Sequence, residues 1–418
     1  MNDAQRLAAP RGTFDVLPER SAERSAVERH ARELLEAAGY ARIETPAFEP
    51  TELFERSVGE ATDIVRKEMY SFDDGGGRSL TLRPEGTAPV CRAYVEHGMH
   101  KLPQPVKLYY LSSFFRHERA QAGRYRQFWQ VGAEAIGSDD PALDAEVIVL
   151  LDALLQLVGI QTVRLRISSL AGPTTRAAYR DELQAYLRSH ADRLSNDVRE
   201  RIELNPLRAF DSDDAGTQSV MEGAPRLLDR LDAEDADHFA QVRGLLDAAS
   251  VSYDVDSTLV RGLDYYTRTV FEFESAALGA QKGVGGGGRY DGLVEQLGGP
   301  AAAGIGWAAG IERMLLAAGS EPASPPAPDL FVALDSDAAR PQAFAVTLAA
   351  RRAGLRAEME LAGRSLKGQL KHADRLGAHH VAIASADGGI ALKDIAASTQ
   401  QQLRSDEVAA ALAELAKR

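Results

Sequence analysis

Arginine is concentrated where the chain turns. Between Phe115 and Phe128 the run FRHERAQAGRYRQF sets Arg116, Arg119, Arg124 and Arg126 around a loop containing Gly123. Four arginines less one glutamate, Glu118, leave a local charge of +3 in a chain whose formal net charge is −13. A guanidinium is a planar fork that donates paired hydrogen bonds to oxyanions, so this spacing is a chemical answer to phosphate. The residues that follow alternate. Gln130, Gly132 and Glu134 share one strand face, and Trp129, Val131, Ala133 and Ala135 share the other. Such a strand could floor a small polar pocket. On its own it is equally an ordinary half-exposed strand.

Further polar groups lie far apart in sequence. Glu85 and Thr87 sit in RPEGT, Arg261, Asp264, Tyr265 and Tyr266 in LVRGLDYYTRTVFEFE, and Arg313 ends GIGWAAGIER. A buried arginine is costly unless an anion matches it. Arginines that converge would need a polyanion such as a nucleoside triphosphate, and carboxylates beside them would serve an ammonium or an imidazole N–H. Taken singly, each arginine is as well explained by a surface ion pair. Other chemistries lack their signatures. The nine histidines show no HExxH spacing, and His379-His380 has no cysteine or carboxylate cluster beside it. GxSxG and Walker A patterns are absent, as is a GxGxxG that opens a helix after a strand. The five glycines of 283–288 instead suit close approach of a ligand or a neighbouring strand.

These groups need a scaffold of several elements. At 418 residues the chain predicts two or three domains. The spacing predicts a helix over about 19–38, a short strand broken at Pro46, and a hairpin around Asp73-Asp74-Gly75-Gly76-Gly77. Strands are expected over 106–115 and 126–136, joined by the arginine loop, then a helix over 141–157 and a strand over 163–167. From about 171 to 250 the character turns helical and charged. Strand patterns resume over 251–256 and 267–274, and Gly304-Ile305-Gly306-Trp307 is expected to open a helix through Arg313. GSEPASPPAP is a Pro/Ser linker. Beyond it, strands and helices alternate through a small α/β domain of net charge +1, from twelve basic and eleven acidic residues.

The single cysteine, Cys91, excludes an internal disulfide and suits a reducing compartment. With no signal pattern and no run of roughly 20 apolar residues, a soluble, cytoplasmic protein without a membrane partner is expected. The acidic balance argues against a non-specific DNA binder, but a local basic patch still admits a nucleic-acid partner.

Several of these runs together resemble one family. FRHERAQAGRYRQFWQVGAEAIG is similar to motif 2 of class II aminoacyl-tRNA synthetases, in the form found in the histidyl-tRNA synthetase family. LVRGLDYYTRTVFEFE resembles the segment peculiar to that family, and GGGGRYDGLVEQLGG with GIGWAAGIERML resembles motif 3 and its approach. RGTFDVLP, TLRPEGTAPV and NPLRAFDSDD match in the right order. Trp129 stands where the family has a smaller ring or histidine, and Ala120 where proline is common. The tail ALKDIAASTQQQLRSDEV matches more loosely.

The resemblance implies an α+β fold. A class II antiparallel β-sheet catalytic domain would span 1–320, with a helical insertion at about 171–250. A linker over 321–328 and an α/β anticodon-binding domain over 329–418 would follow. It implies histidine–tRNA ligation by a homodimer paired through motif 1, with ATP and Mg²⁺, and with L-histidine and tRNA(His) as partners. By resemblance Arg116 and Arg261 are catalytic. Arg116, Glu118, Phe128 and Arg313 would hold ATP, with Arg116 on the α-phosphate, Arg313 on the γ-phosphate and Phe128 on adenine. Histidine would be held by Glu85, Gly86, Thr87, Gln130, Glu134, Arg261, Tyr265, Tyr266 and Tyr290. Arg119, Gln121 and Arg124 would meet the acceptor end of the tRNA, and no metal ligand is assigned. The alternative is a histidine-sensing regulatory subunit of ATP phosphoribosyltransferase, a paralogue that typically lacks the C-terminal domain and erodes the ATP-binding arginines.

Overall fold

The computed structural model describes residues 7–59, 62–279, 282–319, 326–397, 399–404 and 407–416. The chain divides into two compact units, Met1–Pro322 and Ala323–Arg418. Residues 320–325, which include the start of the expected linker, lie outside the described residues.

Among the described residues the first unit is built on an eight-stranded sheet. Six of its strands run antiparallel in the spatial order Val106–Phe115, Gln127–Ile136, Gly304–Gly310, Gly283–Arg289, Thr267–Glu274 and Arg164–Ser169. Two-residue strands, Ala41–Arg42 and Asp254–Val255, pair in parallel at the two edges. Alternation along the strands divides the side chains between two cores. On the back face Val131, Ala133, Ala135, Ile305, Phe271 and Phe273 pack against the helices Pro18–Ala37, Pro141–Leu157 and Ala233–Ala248. On the front face Leu108, Tyr110, Val270 and Tyr290 pack against the helices Thr87–Glu96 and Pro173–Ser189. The segment read as helical and charged holds helices from Pro173–Ser189 to Ala233–Ala248 and no strand between them.

Three expectations change. The glycine cluster is a central strand, Gly283–Arg289, which its composition hides because glycine has little strand preference of its own. Its glycines are needed because both neighbours come close: a Cβ on Gly287 would lie 1.9 Å from the Gly306 carbonyl oxygen. Gly304–Gly310 is likewise a strand, and the helix begins only at Ile311, running to Ala318. The strand expected over 251–256 shrinks to Asp254–Val255.

The second unit has a five-stranded sheet in the order Ala357–Met359, Leu330–Leu334, His380–Ala384, Ile390–Asp394 and Thr399–Leu403. The last of these, TQQQL, is an edge strand whose polar run gave no strand signal.

Candidate active site

The site is assembled on the antiparallel hairpin 106–115/127–136. Its register sets Gln130 opposite Ser112, Gly132 opposite Tyr110 and Glu134 opposite Leu108, while Gly310, Ala308 and Gly306 face the same three residues from the next strand. The connecting loop is closed by Arg116 N–H to the Arg126 carbonyl at 3.0 Å and by a bridge between Gln121 and Arg124. The N-terminal segment straps it: Arg126 N–H donates to the Gly12 carbonyl at 2.7 Å, and the Phe14 and Tyr125 rings lie 4.5 Å apart.

A cleft of about 280 Å³ opens above this hairpin. Its lining gathers residues from all four sequence segments: Glu85, Gly86 and Thr87; Arg116, Glu118, Arg124, Phe128 and Gln130; Arg261, Tyr265 and Tyr266; and Arg313. Each of three arginines is held along one edge. Arg116 Nε donates to the Pro84 carbonyl at 2.8 Å, with the guanidinium over the Phe128 ring at 5.5 Å. Arg313 Nε donates to the Gly283 carbonyl at 2.6 Å and its Nη1 to the Gly123 carbonyl at 3.3 Å. Arg261 Nη1 donates to Glu272 Oε1 at 2.6 Å. Fixing guanidinium groups this way removes the rotamer freedom a phosphate would otherwise have to freeze.

Carboxylates accompany the arginines. Glu85 accepts from Thr87 N–H at 2.7 Å and Ala88 N–H at 2.9 Å, and burial raises its pKa despite those bonds. Glu134 is fully buried beneath the cleft wall; Oε1 accepts from Thr87 Oγ1 at 2.8 Å and Oε2 from the Tyr290 hydroxyl at 2.7 Å. Burial pushes its pKa up to about 8, opposed by the hydrogen bonds from Tyr290 and Thr87. The phenols of Tyr265, Tyr266 and Tyr290 are raised by burial as well, so they stay neutral donors.

Four lining residues carry a buried polar atom that makes no hydrogen bond: Arg261 Nε, Gln130 Oε1, Glu118 Oε2, which is ion-paired with Arg124 Nη1 at 3.3 Å, and Trp307 Nε1, whose ring packs in the back-face core. With Glu118 paired to Arg124 and the Trp307 ring in the back core, the donor Arg261 Nε and the acceptor Gln130 Oε1 call for a polar ligand that carries both kinds of partner.

The structure does not bring every expected residue to the lining. Glu134 and Tyr290 lie behind it and reach it through Thr87, while Arg119 and Gln121 are exposed on the loop outside it. Trp129 points away, under the Arg24 guanidinium at 4.0 Å. Sequence reading missed Tyr110, Glu272 and Glu312 as lining residues. Alternation in TRTVFEFE is the signal that could have found Glu272, which pairs with Gly286 in the central strand.

The family model of histidyl-tRNA synthetase matches residues 12–314. The chain belongs to the histidyl-tRNA synthetase family. It is 47% identical over 401 residues to the histidine–tRNA ligase of Desulforamulus reducens, covering 94% of this chain and 96% of that one. To the ligase of Syntrophotalea carbinolica it is 45% identical over 412 residues, with 98% of each chain covered. Apo S. aureus histidyl-tRNA synthetase superposes with a TM-score of 0.82 at 36% identity, over 98% of this chain and 100% of that chain. These family matches extend through the C-terminal unit as well as the cleft. A fold shared at 23% identity and TM-score 0.65 with a protein titled ATP phosphoribosyltransferase regulatory subunit/histidyl-tRNA synthetase, from Bacillus halodurans, speaks to architecture alone.

Members of the family use ATP. Among the described residues no cluster of three metal-ligating side chains exists. A magnesium ion bound chiefly by nucleotide phosphates needs only one or two carboxylates. The carboxylates of Glu118 and Glu272, both in the cleft lining, fit that smaller demand.

Proposed function

We propose that this cleft binds histidine and ATP side by side and joins them. The reaction is that of an aminoacyl-tRNA ligase. Histidine and ATP give histidyl-adenylate and pyrophosphate, and the histidyl group then passes to the 3′-terminal adenosine of its tRNA. One observation supports this most: buried Arg261 Nε and Gln130 Oε1, neither of them hydrogen-bonded, share a cleft with Arg116, Arg313 and the carboxylate of Glu85. Histidine joined to a phosphate as an acyl phosphate supplies an anion, an ammonium and ring nitrogens. The regulatory-subunit alternative is not favoured, because relatives named as ligases cover nearly the whole chain.

Arg116 would take the α-phosphate, Arg313 the γ-phosphate, and Phe128 would stack on adenine. A carboxylate oxygen of histidine attacks the α-phosphorus as the bond to pyrophosphate breaks, and Arg261 would lie against both reacting groups. In-line displacement at phosphorus asks little covalent help, so positioning and fixed positive charge supply most of the acceleration. Magnesium, held with Glu118 and Glu272, would neutralise phosphate charge. Glu85, Thr87 and Gln130 would receive the amino-acid main chain, and Glu134 and Tyr266 the imidazole. Tyr265 would line the pocket, and Tyr290 would act through Glu134. A pocket that hydrogen-bonds both ring nitrogens rejects other side chains strongly, since they leave its buried polar groups unpaired.

Arg119, Gln121 and Arg124, on the loop beside the cleft, would meet the acceptor end of the tRNA. The second unit would read the anticodon. Pairing of two copies is supported by exposed Phe48 and Phe72, whose rings stack edge-on at 6.2 Å across the small sheet 48–50/79–82/70–73. A cytoplasmic location suits these partners, and among the described residues no helix is long and apolar enough to cross a membrane.

Histidine-dependent exchange of pyrophosphate into ATP tests the reading. Exchange with histidine and with none of the other nineteen amino acids is expected; its absence in folded protein overturns the proposal.

A further inference from the structure

Tyr265 and Tyr266 sit on a stretch, 261–266, that belongs to no strand. Its carbonyls therefore lack the partners a sheet ladder would give, and buried carbonyls need partners from elsewhere. They come from the helical segment 173–248. Arg176, in the first turn of the helix Pro173–Ser189, donates from Nη1 to the Tyr266 carbonyl and, at 3.3 Å, to the Asp264 carbonyl. Asn205, farther along the same segment, donates from Nδ2 to Asp264 Oδ1 at 3.1 Å. Asp264 N–H is taken up by the Val58 carbonyl at 3.2 Å.

The backbone on either side of Tyr265 is thus clamped by one guanidinium, and the clamp is charge-assisted. Beyond it the two tyrosines point inward. Tyr265 donates its hydroxyl to Glu85 Oε2 at 3.4 Å, its ring packs against Tyr266 at 4.8 Å and against Tyr290 at 6.0 Å, and both Tyr265 and Tyr266 line the cleft. Neither Arg176 nor Asn205 lines it. The triphosphate arginines, Arg116 and Arg313, hang instead on the Pro84, Gly283 and Gly123 carbonyls. The clamp therefore bears on one half of the cleft.

We infer that Arg176 and Asn205 are positioning residues for histidine: the helical segment holds the backbone that presents Tyr265 and Tyr266 to the amino acid. The inference rests on the proposed histidine pocket. It also gives the segment a part in amino-acid recognition, which nothing in its charged, helical sequence suggests.

The experiment is pyrophosphate exchange with full-length protein, titrating histidine and ATP separately. Wild-type exchange that depends on histidine first establishes the pocket, and failure there strikes the proposed function rather than this inference. Arg176→Ala is expected to raise KM for histidine about tenfold or more, as loss of a charge-assisted hydrogen bond does. KM for ATP should stay within twofold, and Arg176→Lys, which keeps a cationic donor, should recover part of the loss. Asn205→Ala should shift KM for histidine in the same direction by less. A purely structural staple would lower the active fraction and leave both KM values alone, which overturns the inference. Parallel rises in both KM values overturn it too. If Arg176→Ala does not fold, Arg176→Lys and Asn205→Ala decide, and an unchanged KM for histidine in both refutes the clamp.

Discussion

Tyr290 donates its hydroxyl to Glu134 Oε2 across 2.7 Å, and Gly306, which faces Glu134 from the neighbouring strand, leaves the room for this pair. A Cβ on Gly306 would lie 1.8 Å from Glu134 Oε2. The carboxylate is therefore buried by design of the strand beside it, and burial is what raises its pKa to about 8. With Thr87 bonded to its other oxygen, Glu134 holds a proton at neutral pH and puts no bare charge in the core.

This predicts a pH dependence of stability. Between the ordinary carboxylate pKa and about pH 8, the folded chain holds the Glu134 proton and the unfolded chain does not. The folded state then binds more protons, so this group's contribution falls as pH rises through that window and levels off above it. Glu134→Gln carries no such proton. Thermal unfolding of the two proteins from pH 6 to 9 should show wild type losing ground to the variant until about pH 8 and then running parallel. Parallel curves throughout would reject the buried-acid assignment.

Phe128 carries the Arg116 guanidinium 5.5 Å from its ring centroid and is assigned to adenine. Phe128→Ala removes a stacking surface worth on the order of 1–3 kcal/mol to a base. KM for ATP should rise roughly tenfold or more, with KM for histidine nearly unchanged. Equal effects on both substrates in the exchange assay would place the ring elsewhere in the mechanism.

Arg261 approaches the cleft with Nη1 on Glu272 and Nε unmatched. Removing a preorganised charge stabiliser costs about 10²–10³ in rate. Arg261→Ala should lose at least that much exchange while its circular dichroism matches wild type. Arg261→Lys should not recover it, because an ammonium cannot serve Glu272 and two reacting groups from one plane. Near-wild-type exchange in either variant would remove Arg261 from the reaction.

The legible parts of the site were those in which one strand or loop carries its own pattern. Gln130 and Glu134 declare a polar face by alternation, and Arg116 declares itself by density of charge. Tyr110 was not legible, and the alternation that marks Glu272 does not by itself bring it to the pocket, because what makes both of them pocket residues is register: Tyr110 stands across from Gly132 and Glu272 across from Gly286. Register depends on which strands pair, and a glycine run with little strand preference hides the middle of the sheet. The extent of the helical segment could be read from composition. Its hold on the Tyr266 carbonyl through Arg176 could not, since a backbone acceptor leaves no mark in the partner's residue types.

Arg289, on the strand Gly283–Arg289, and Asp144, on the helix Pro141–Leu157, form the most deeply buried ion pair among the described residues and make the sharpest stability prediction. Both side chains are 0% exposed, and Arg289 Nη2 lies 2.6 Å from Asp144 Oδ1. Arg289 Nε donates to Asp144 Oδ2 at 3.0 Å, and Nη1 and Nη2 reach the Ser138 and Asp140 carbonyls. His238 Nε2 lies 2.9 Å from the same carboxylate, so loss of Asp144 strands two partners. Breaking a buried pair from one side leaves an uncompensated charge and costs about 3–5 kcal/mol, whereas replacing both members with apolar groups is far cheaper. Arg289→Met and Asp144→Leu should each lower the urea midpoint strongly, and the double variant should recover much of the loss. Both tryptophans, Trp129 and Trp307, fall in the first compact unit, so their fluorescence follows its unfolding. Additive losses in the double variant would show the two side chains to be uncoupled. Because Arg289 immediately precedes Tyr290, the single variants should also weaken the hold on Glu134, raising KM for histidine in whatever protein remains folded.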